Sequence, residues 1–295
     1  MKIATVLINY NDEENTIKLT NKLKKYKNIS KIVIVDNCSS NAESFNKIKI
    51  LESENVDVIR ADKNGGYNYG LNYGIHFLEK QAEEFDIYMC SNTDIKISEN
   101  AVETCIKTLN ENNDVALVAP RMLDKNSNPI RRSAWKLRTF SRDIVHSTRI
   151  LELLFYFKLR AGEYKEDDFK KEKLEVEAIS GACFFIKSKI LKEINYFDEN
   201  VFLFYEEDIL GKTLKEKGYK TYSLNNINFI HYESQSIGKT INYYKKMFQL
   251  FKSKMYYQKY YNNINWLQSF IFYLLWGVRN IELVIEIPVR KLLGK

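Results

Sequence analysis

Along the first 120 positions, short runs of β-branched residues alternate with stretches of helical spacing. Ile3–Ile8 predicts a strand, and leucines recur at helical intervals over Thr16–Tyr26. Lys31–Val35 and Val56–Ile59 are further strands, the second followed by a glycine-rich turn and a helix to about Lys80. Ile87–Cys90 and Val115–Val118 bracket a helix that opens after Ser98, a good N-cap. The strand runs lack polar alternation, so they predict strands buried on both faces. The fold class that follows is α/β, Rossmann-like, with a mostly parallel sheet flanked by helices.

From Pro120 to Lys173 no period is visible, and charge dominates in RRSAWKLR and KEDDFKKEK; only a short helix near Ile150–Leu159 stands out. Order returns at Val176–Ile186, then as a helix over Glu206–Lys217. Two short strands, Thr221–Ser223 and Phe229–His231, close the domain, and after Ser236 the pattern is helical. This divides the chain into a main α/β domain, 1–236, with a variable stretch at 120–173, and a helical extension, 237–295.

Charge sharpens that division. The chain carries +7, yet Lys239–Lys295 holds ten Lys/Arg against two Glu, +8, which leaves −1 for the other 238 residues. A nucleic-acid binder would show a basic stripe on the main domain, so that class is excluded. A basic tail rich in Tyr, Phe and Trp predicts contact with an anionic membrane surface. Its densest apolar stretch, Trp266–Val278, is shorter than the roughly 20 residues a spanning helix needs. Packing on the catalytic domain, or a homodimer, is the other use for such helices. The four cysteines are scattered and form no CxxC pair, which predicts free thiols. The opening MKIATVLINYN reads as a strand and not as a signal peptide, so a cytoplasmic, peripheral location is expected.

In open α/β sheets, ligands bind beyond the carboxyl ends of the strands. Polar groups follow each predicted strand: Tyr10-Asn11, Asp36-Asn37, Asn64-Gly65-Gly66 and Asn92-Thr93-Asp94. Turn chemistry explains each one singly, but not four together. The first strand lacks the G-x-G-x-x-G of a dinucleotide-binding fold. Asn92-Thr93-Asp94 places a carboxylate where it can share a divalent cation with a diphosphate. Glu206, Glu207 and Asp208 open a helix, suiting either its dipole or a general base. His231 ends a short strand and is a candidate second metal ligand.

Taken in order, these motifs over residues 3–235 resemble family 2 glycosyltransferases, in the branch with rhamnosyl- and galactofuranosyltransferases of bacterial surface polysaccharides. The resemblance rests on Tyr10-Asn11, Val35-Asp36-Asn37-Cys38-Ser39, the run Asn64–Ile75, Asn92-Thr93-Asp94, Ser180-Gly181-Ala182, Phe197-Asp198-Glu199, Tyr205-Glu206-Glu207-Asp208 and His231. Two departures are Leu210, where members often carry Asp, and Asn195-Tyr196, where they often carry Gly-Gly. The resemblance implies the GT-A fold and an inverting, metal-dependent transfer of one sugar from a dTDP- or UDP-sugar to a lipid-linked oligosaccharide in capsule or cell-surface synthesis. It assigns Tyr10, Asp36, Asn64, Gly65, Gly66 and Asn92 to the donor. Asp94 and His231 would hold Mg²⁺ or Mn²⁺, and Asp208 would act as base with Glu207 beside it. A catalytically inactive glycan-binding subunit is the rival. A processive synthase is disfavoured, because no Q-x-x-R-W motif is present.

Overall fold

A computed structural model describes residues 1–81, 84–155, 163–232 and 242–292. In chain order the elements begin β1 (Ile3–Asn9), α1 (Glu13–Leu23), β2 (Lys31–Asp36), α2 (Ala42–Lys49), β3 (Val56–Arg60) and α3 (Tyr67–Lys80). There follow β4 (Ile87–Asn92), β5 (Ile95–Ile97), α4 (Glu99–Glu111) and β6 (Val115–Leu123). The charged stretch holds β7 (Ala134–Trp135), α5 (Phe140–Val145) and α6 (Arg149–Leu154). Then come β8 (Lys173–Val176), β9 (Ala178–Ile179), β10 (Cys183–Lys187), α7 (Ser188–Glu193), α8 (Glu206–Glu216) and β11 (Lys220–His231). Two long helices complete the order, α9 (Tyr243–Tyr260) and α10 (Trp266–Leu292).

Among the described residues, nine strands form one sheet in the order β3-β2-β1-β4-β10-β6-β11-β5, with β8 also on β11. Six of the nine run one way; β10, β5 and β8 oppose them. The β-branched runs of β1, β2, β4 and β6 are buried on both faces as expected, β2 without a break, whereas the edge strand β3 leaves Asp57 and Ile59 half-buried and Arg60 exposed. Helix α3 lies so close to the sheet that a Cβ on Gly74 would stand 2.7 Å from Val6 and 2.9 Å from Val35. Ser98 does cap α4, its side chain accepting the Ala101 N–H.

Three expectations need correction. The two closing strands are one, β11, whose register on β6 shifts between Leu224 and Asn228. Helix α2 and the three-residue β5 were not foreseen. The short helix expected at Ile150–Leu159 is α6, and its last expected turn falls outside the described residues, as does the expected domain boundary at 236.

The two C-terminal helices do not stand apart from the sheet and its flanking helices. Helix α9 buries Tyr257 in a cluster with Val201, Tyr205 and Ile209. Ser253 Oγ donates to Leu203 O at 2.7 Å, and Lys254 Nζ donates to Asp143 O and Ser147 Oγ. Tyr256 and Tyr261 both donate to Asp198 Oδ2, at 2.8 and 2.6 Å. No helix among the described residues is long and apolar enough to cross a membrane.

Candidate active site

The strand ends align as one rim. Asn9 pairs with Asp36, Asp36 with Arg60, and Ile8 with Asn92. Tyr10 sits half-buried just past β1. Asp36 is fully buried: it accepts from Asn9 Nδ2 at 2.8 Å and from Ser39, with Arg60 Nε at 3.5 Å. Its carboxylate therefore braces the loops under the rim. Asn64 Oδ1 accepts the Gly66 N–H at 3.3 Å and Asn37 Nδ2 at 3.2 Å. Gly65 is half-buried between them. Gly66, which precedes α3, has φ +95° and ψ −177°, a conformation kept for glycine.

Three motifs meet at the Gly181-Ala182 segment. Tyr67, at the start of α3, donates to Gly181 O at 2.8 Å, and the Gly181 N–H donates to Glu207 Oε1 at 3.1 Å. One residue on, Ala182 O accepts the N–H of Asn92 at 2.9 Å. The glycine-rich loop also touches the acidic loop directly, since a Cβ on Gly66 would stand 2.4 Å from Phe202 O. The turn into α8 passes through Phe204 and Tyr205 at φ +71° and +69°. Two bulky residues in left-handed conformation mark strain held by the surrounding packing.

Each of the three acids has its own environment. Glu206 is 8% exposed, and burial with the charge of Glu207 pushes its carboxyl well up. Glu207 is half-buried and is also pushed up by burial, against the pull of the Gly181 N–H. Asp208 is 3% exposed and accepts from Trp135 Nε1 and the Arg138 N–H, both at 3.3 Å. Burial raises it to about 7, while the Arg138 guanidinium, 3.9 Å away, pulls it down. A carboxyl that titrates near neutrality suits general-base work.

Asp94 and His231 meet as expected: Oδ1 and Nε2 are 3.2 Å apart, because β11 pairs His231 with Ile95. Thr93 Oγ1 donates to Asp12 Oδ2 at 2.7 Å, and burial together with the charge of Asp94 pushes Asp12 up. An oxygen and a nitrogen donor on one spot fit a divalent cation that takes its other ligands from diphosphate and water. Among the described residues no third His, Cys, Asp or Glu joins them.

Sequence reasoning missed Trp135, Arg138 and Asp143. They lie in the charged stretch without period, and only their burial beside Asp208 reveals them. A Trp between charged residues, in Arg131–Arg138, was the available signal.

Residues 5–194 match the family described as Glycosyl transferase family 2. A curated relative, the low-salt glycan biosynthesis hexosyltransferase Agl10 of Haloferax volcanii, is 23% identical over 205 residues. The match covers 70% of this chain and 59% of that protein, so the chain spans about three fifths of the relative's length. Among solved structures, S. aureus TarS 1–349 in complex with UDP-GlcNAc aligns with TM-score 0.56 and 14% identity, over 91% of this chain and 69% of that one. GalNAc-T7 with UDP, GalNAc and Mn²⁺ gives 0.58 and 13%, over 79% and 44%. The mannosyltransferase PcManGT from Pyrobaculum calidifontis, with GDP-Man and Mn²⁺, gives 0.55 and 12%, over 86% and 62%. These likenesses bear out the mixed α/β, GT-A-like architecture. With the family match covering well over half of its length, the chain belongs to glycosyl transferase family 2.

Proposed function

We propose that the protein is an inverting glycosyltransferase that moves one sugar from a nucleotide-diphosphate sugar to a hydroxyl of a lipid-linked glycan. The observation that carries this is the junction at Gly181, which joins the start of α3 to Glu207 and sets the acids of α8 against the strand-end rim. The donor class is a dTDP- or UDP-sugar of rhamnose, galactose or galactofuranose type, and capsule or cell-surface polysaccharide is the setting. Glycan synthesis by Agl10 supports the setting, the UDP-GlcNAc in TarS supports a UDP-sugar donor, and the GDP-Man in PcManGT supports only the broader nucleotide-sugar class.

Tyr10, Asn64, Gly65, Gly66 and Asn92 border the donor, and Asp36 braces the loops that carry them. Asp94 and His231 would hold Mg²⁺ or Mn²⁺, which when bound neutralises the leaving diphosphate. Asp208 takes the proton of the acceptor hydroxyl. The acceptor oxygen forms its bond to the anomeric carbon as the carbon–oxygen bond to the diphosphate breaks, and the electron pair leaves with the nucleotide. One displacement inverts the configuration, with no second nucleophile. Trp135 Nε1 and the Arg138 N–H hold both oxygens of Asp208 through proton uptake.

The test is a panel of nucleotide sugars screened by thermal shift with Mn²⁺, followed by donor hydrolysis assays. A selective shift with slow, metal-dependent hydrolysis is expected. A shift with no turnover of any donor would favour the inactive glycan-binding subunit, and no shift at all would overturn the donor reading.

A further inference from the structure

Helix α10 is amphipathic in the reverse of the usual sense. Arg279, Glu282 and Glu286 point into the protein: Arg279 is 7% exposed and pairs with Glu282 at 2.9 Å and Glu286 at 2.6 Å. Tyr243 of α9 donates to Glu286, and Glu282 accepts the N–H groups of Arg149 and Ile150 at the start of α6. The outward face is apolar. Trp266, Phe270, Leu274, Ile281, Ile285 and Leu292 recur at helical spacing, and each is more than half exposed. A Cβ on Gly277 would meet nothing within 4 Å. Across 27 residues this stripe runs about 40 Å. Helix α6, held by Glu282, adds Leu153 and Leu154, both over 70% exposed.

A soluble surface rarely carries so long a contiguous apolar face. We propose that this face, α10 with the tip of α6, docks in the plane of an anionic lipid bilayer. Charge supports that occupant. Lys245 and Lys252 are exposed on α9 on either side of Phe248, whose ring lies 6.0 Å from Trp276 of α10. Cations beside an apolar helix face match anionic headgroups over acyl chains. Arg279, Glu282 and Glu286 tie α10 to α6 and α9, so the docking face is fixed relative to the catalytic domain. A lipid-linked acceptor would be presented in that same interface. The inference rests on the acceptor reading for its purpose only, because lipid binding is measured without sugar transfer.

The test is flotation of the full-length protein with vesicles of phosphatidylglycerol and phosphatidylcholine, or of phosphatidylcholine alone. The wild type is expected to float with the anionic vesicles and to be largely released by high salt. The Ile281→Glu/Ile285→Glu variant should lose at least about tenfold in bound fraction, with unchanged circular dichroism and unchanged nucleotide-induced thermal shift. Flotation of the variant equal to wild type, or none by the wild type, overturns the proposal. So does a dimer, seen by light scattering without lipid, that the same substitutions dissolve, because the face is then covered by a second copy.

Discussion

The Arg138 guanidinium stands 3.9 Å from the Asp208 carboxylate and 3.4 Å from that of Asp143, which is itself fully buried and takes a hydrogen bond from Gln258 of α9. Arg138 is therefore the cation that offsets the burial of Asp208. Removing it should raise the carboxyl beyond its present position near 7. A base works only when ionised, so the acidic limb of the kcat/KM profile should move to higher pH in Arg138→Ala, by about one unit or more. Arg138→Lys keeps the charge and should bring the limb back part of the way. An unmoved limb in Arg138→Ala, with Asp208 still essential, would show that Arg138 does not set the base.

Asp208 itself should trade stability for activity. Its folded-state pKa of about 7 lies above the usual carboxylate value near 4. The folded state thus binds the extra proton, and the stability this contributes is present below pH 4 and lost as pH rises through 7. Asp208→Asn should cut transfer by about 10²–10⁴. It should also stabilise the fold relative to wild type more at pH 8 than at pH 4.5, by about 3 kcal/mol in unfolding free energy and with a correspondingly larger rise in melting temperature. Parallel melting curves at both pH values would contradict the assignment.

Asp94→Ala should weaken binding of the nucleoside diphosphate in the presence of Mn²⁺ and have little effect in chelator. The reason is that Asp94 and His231 present one oxygen and one nitrogen 3.2 Å apart on the rim. Isothermal titration with UDP or dTDP, with and without metal, measures this. Full transfer activity in EDTA would remove the metal from the scheme.

Gly66→Ala should be costly on two counts. The residue has φ +95°, and a Cβ there would stand 2.4 Å from Phe202 O, a backbone atom that cannot swing aside. A loss of about 2 kcal/mol or more in chemical denaturation is expected, with weakened donor binding, because the Asn64 loop and the turn into α8 separate together.

The elements legible in the sequence were those whose signal is local. Lys31–Val35 could be read because both faces of that strand are buried, and Ser98 because an N-cap acts within one turn. Strand β5 could not, since three residues become a strand only by pairing with β11. The rim motifs were visible because turn and ligand chemistry favour the same residue types. The stretch around Arg138 and Asp143 was opaque because its order comes from distant partners, Asp208, Lys254 and Gln258. Asn195 and Tyr196 show both sides. The family resemblance implies Gly-Gly there, and the positions have φ +61° and +66°. Asn tolerates that conformation, and Tyr196 is held in it by its hydroxyl on Glu79 and its ring 4.4 Å from His76.

The two tail helices should not be equally dispensable. Helix α9 carries Ser253, Tyr257 and Gln258, each at most 1% exposed, and it reaches the site through Leu203 O and Asp143. Without it, Tyr205 and Ile209 lose their cover, and the Asp143 carboxylate loses its 2.6 Å bond while remaining next to Arg138. Removing one partner of a buried polar group costs about 1–3 kcal/mol, and more when the group left behind is charged, before the apolar loss is added. Helix α10 contributes less to the catalytic side: Phe272 against Phe140 and the Arg279 cluster, with most of its apolar surface outside. A chain ending at residue 265 should therefore keep the nucleotide-induced thermal shift and most of its donor hydrolysis, with a modest drop in melting temperature. A chain ending at 241 should melt far lower and lose activity even at temperatures where it stays folded, because Asp208 is no longer held through Arg138 and Asp143. Equal behaviour of the two shortened chains would separate α9 from the site and leave the tail a single appended unit.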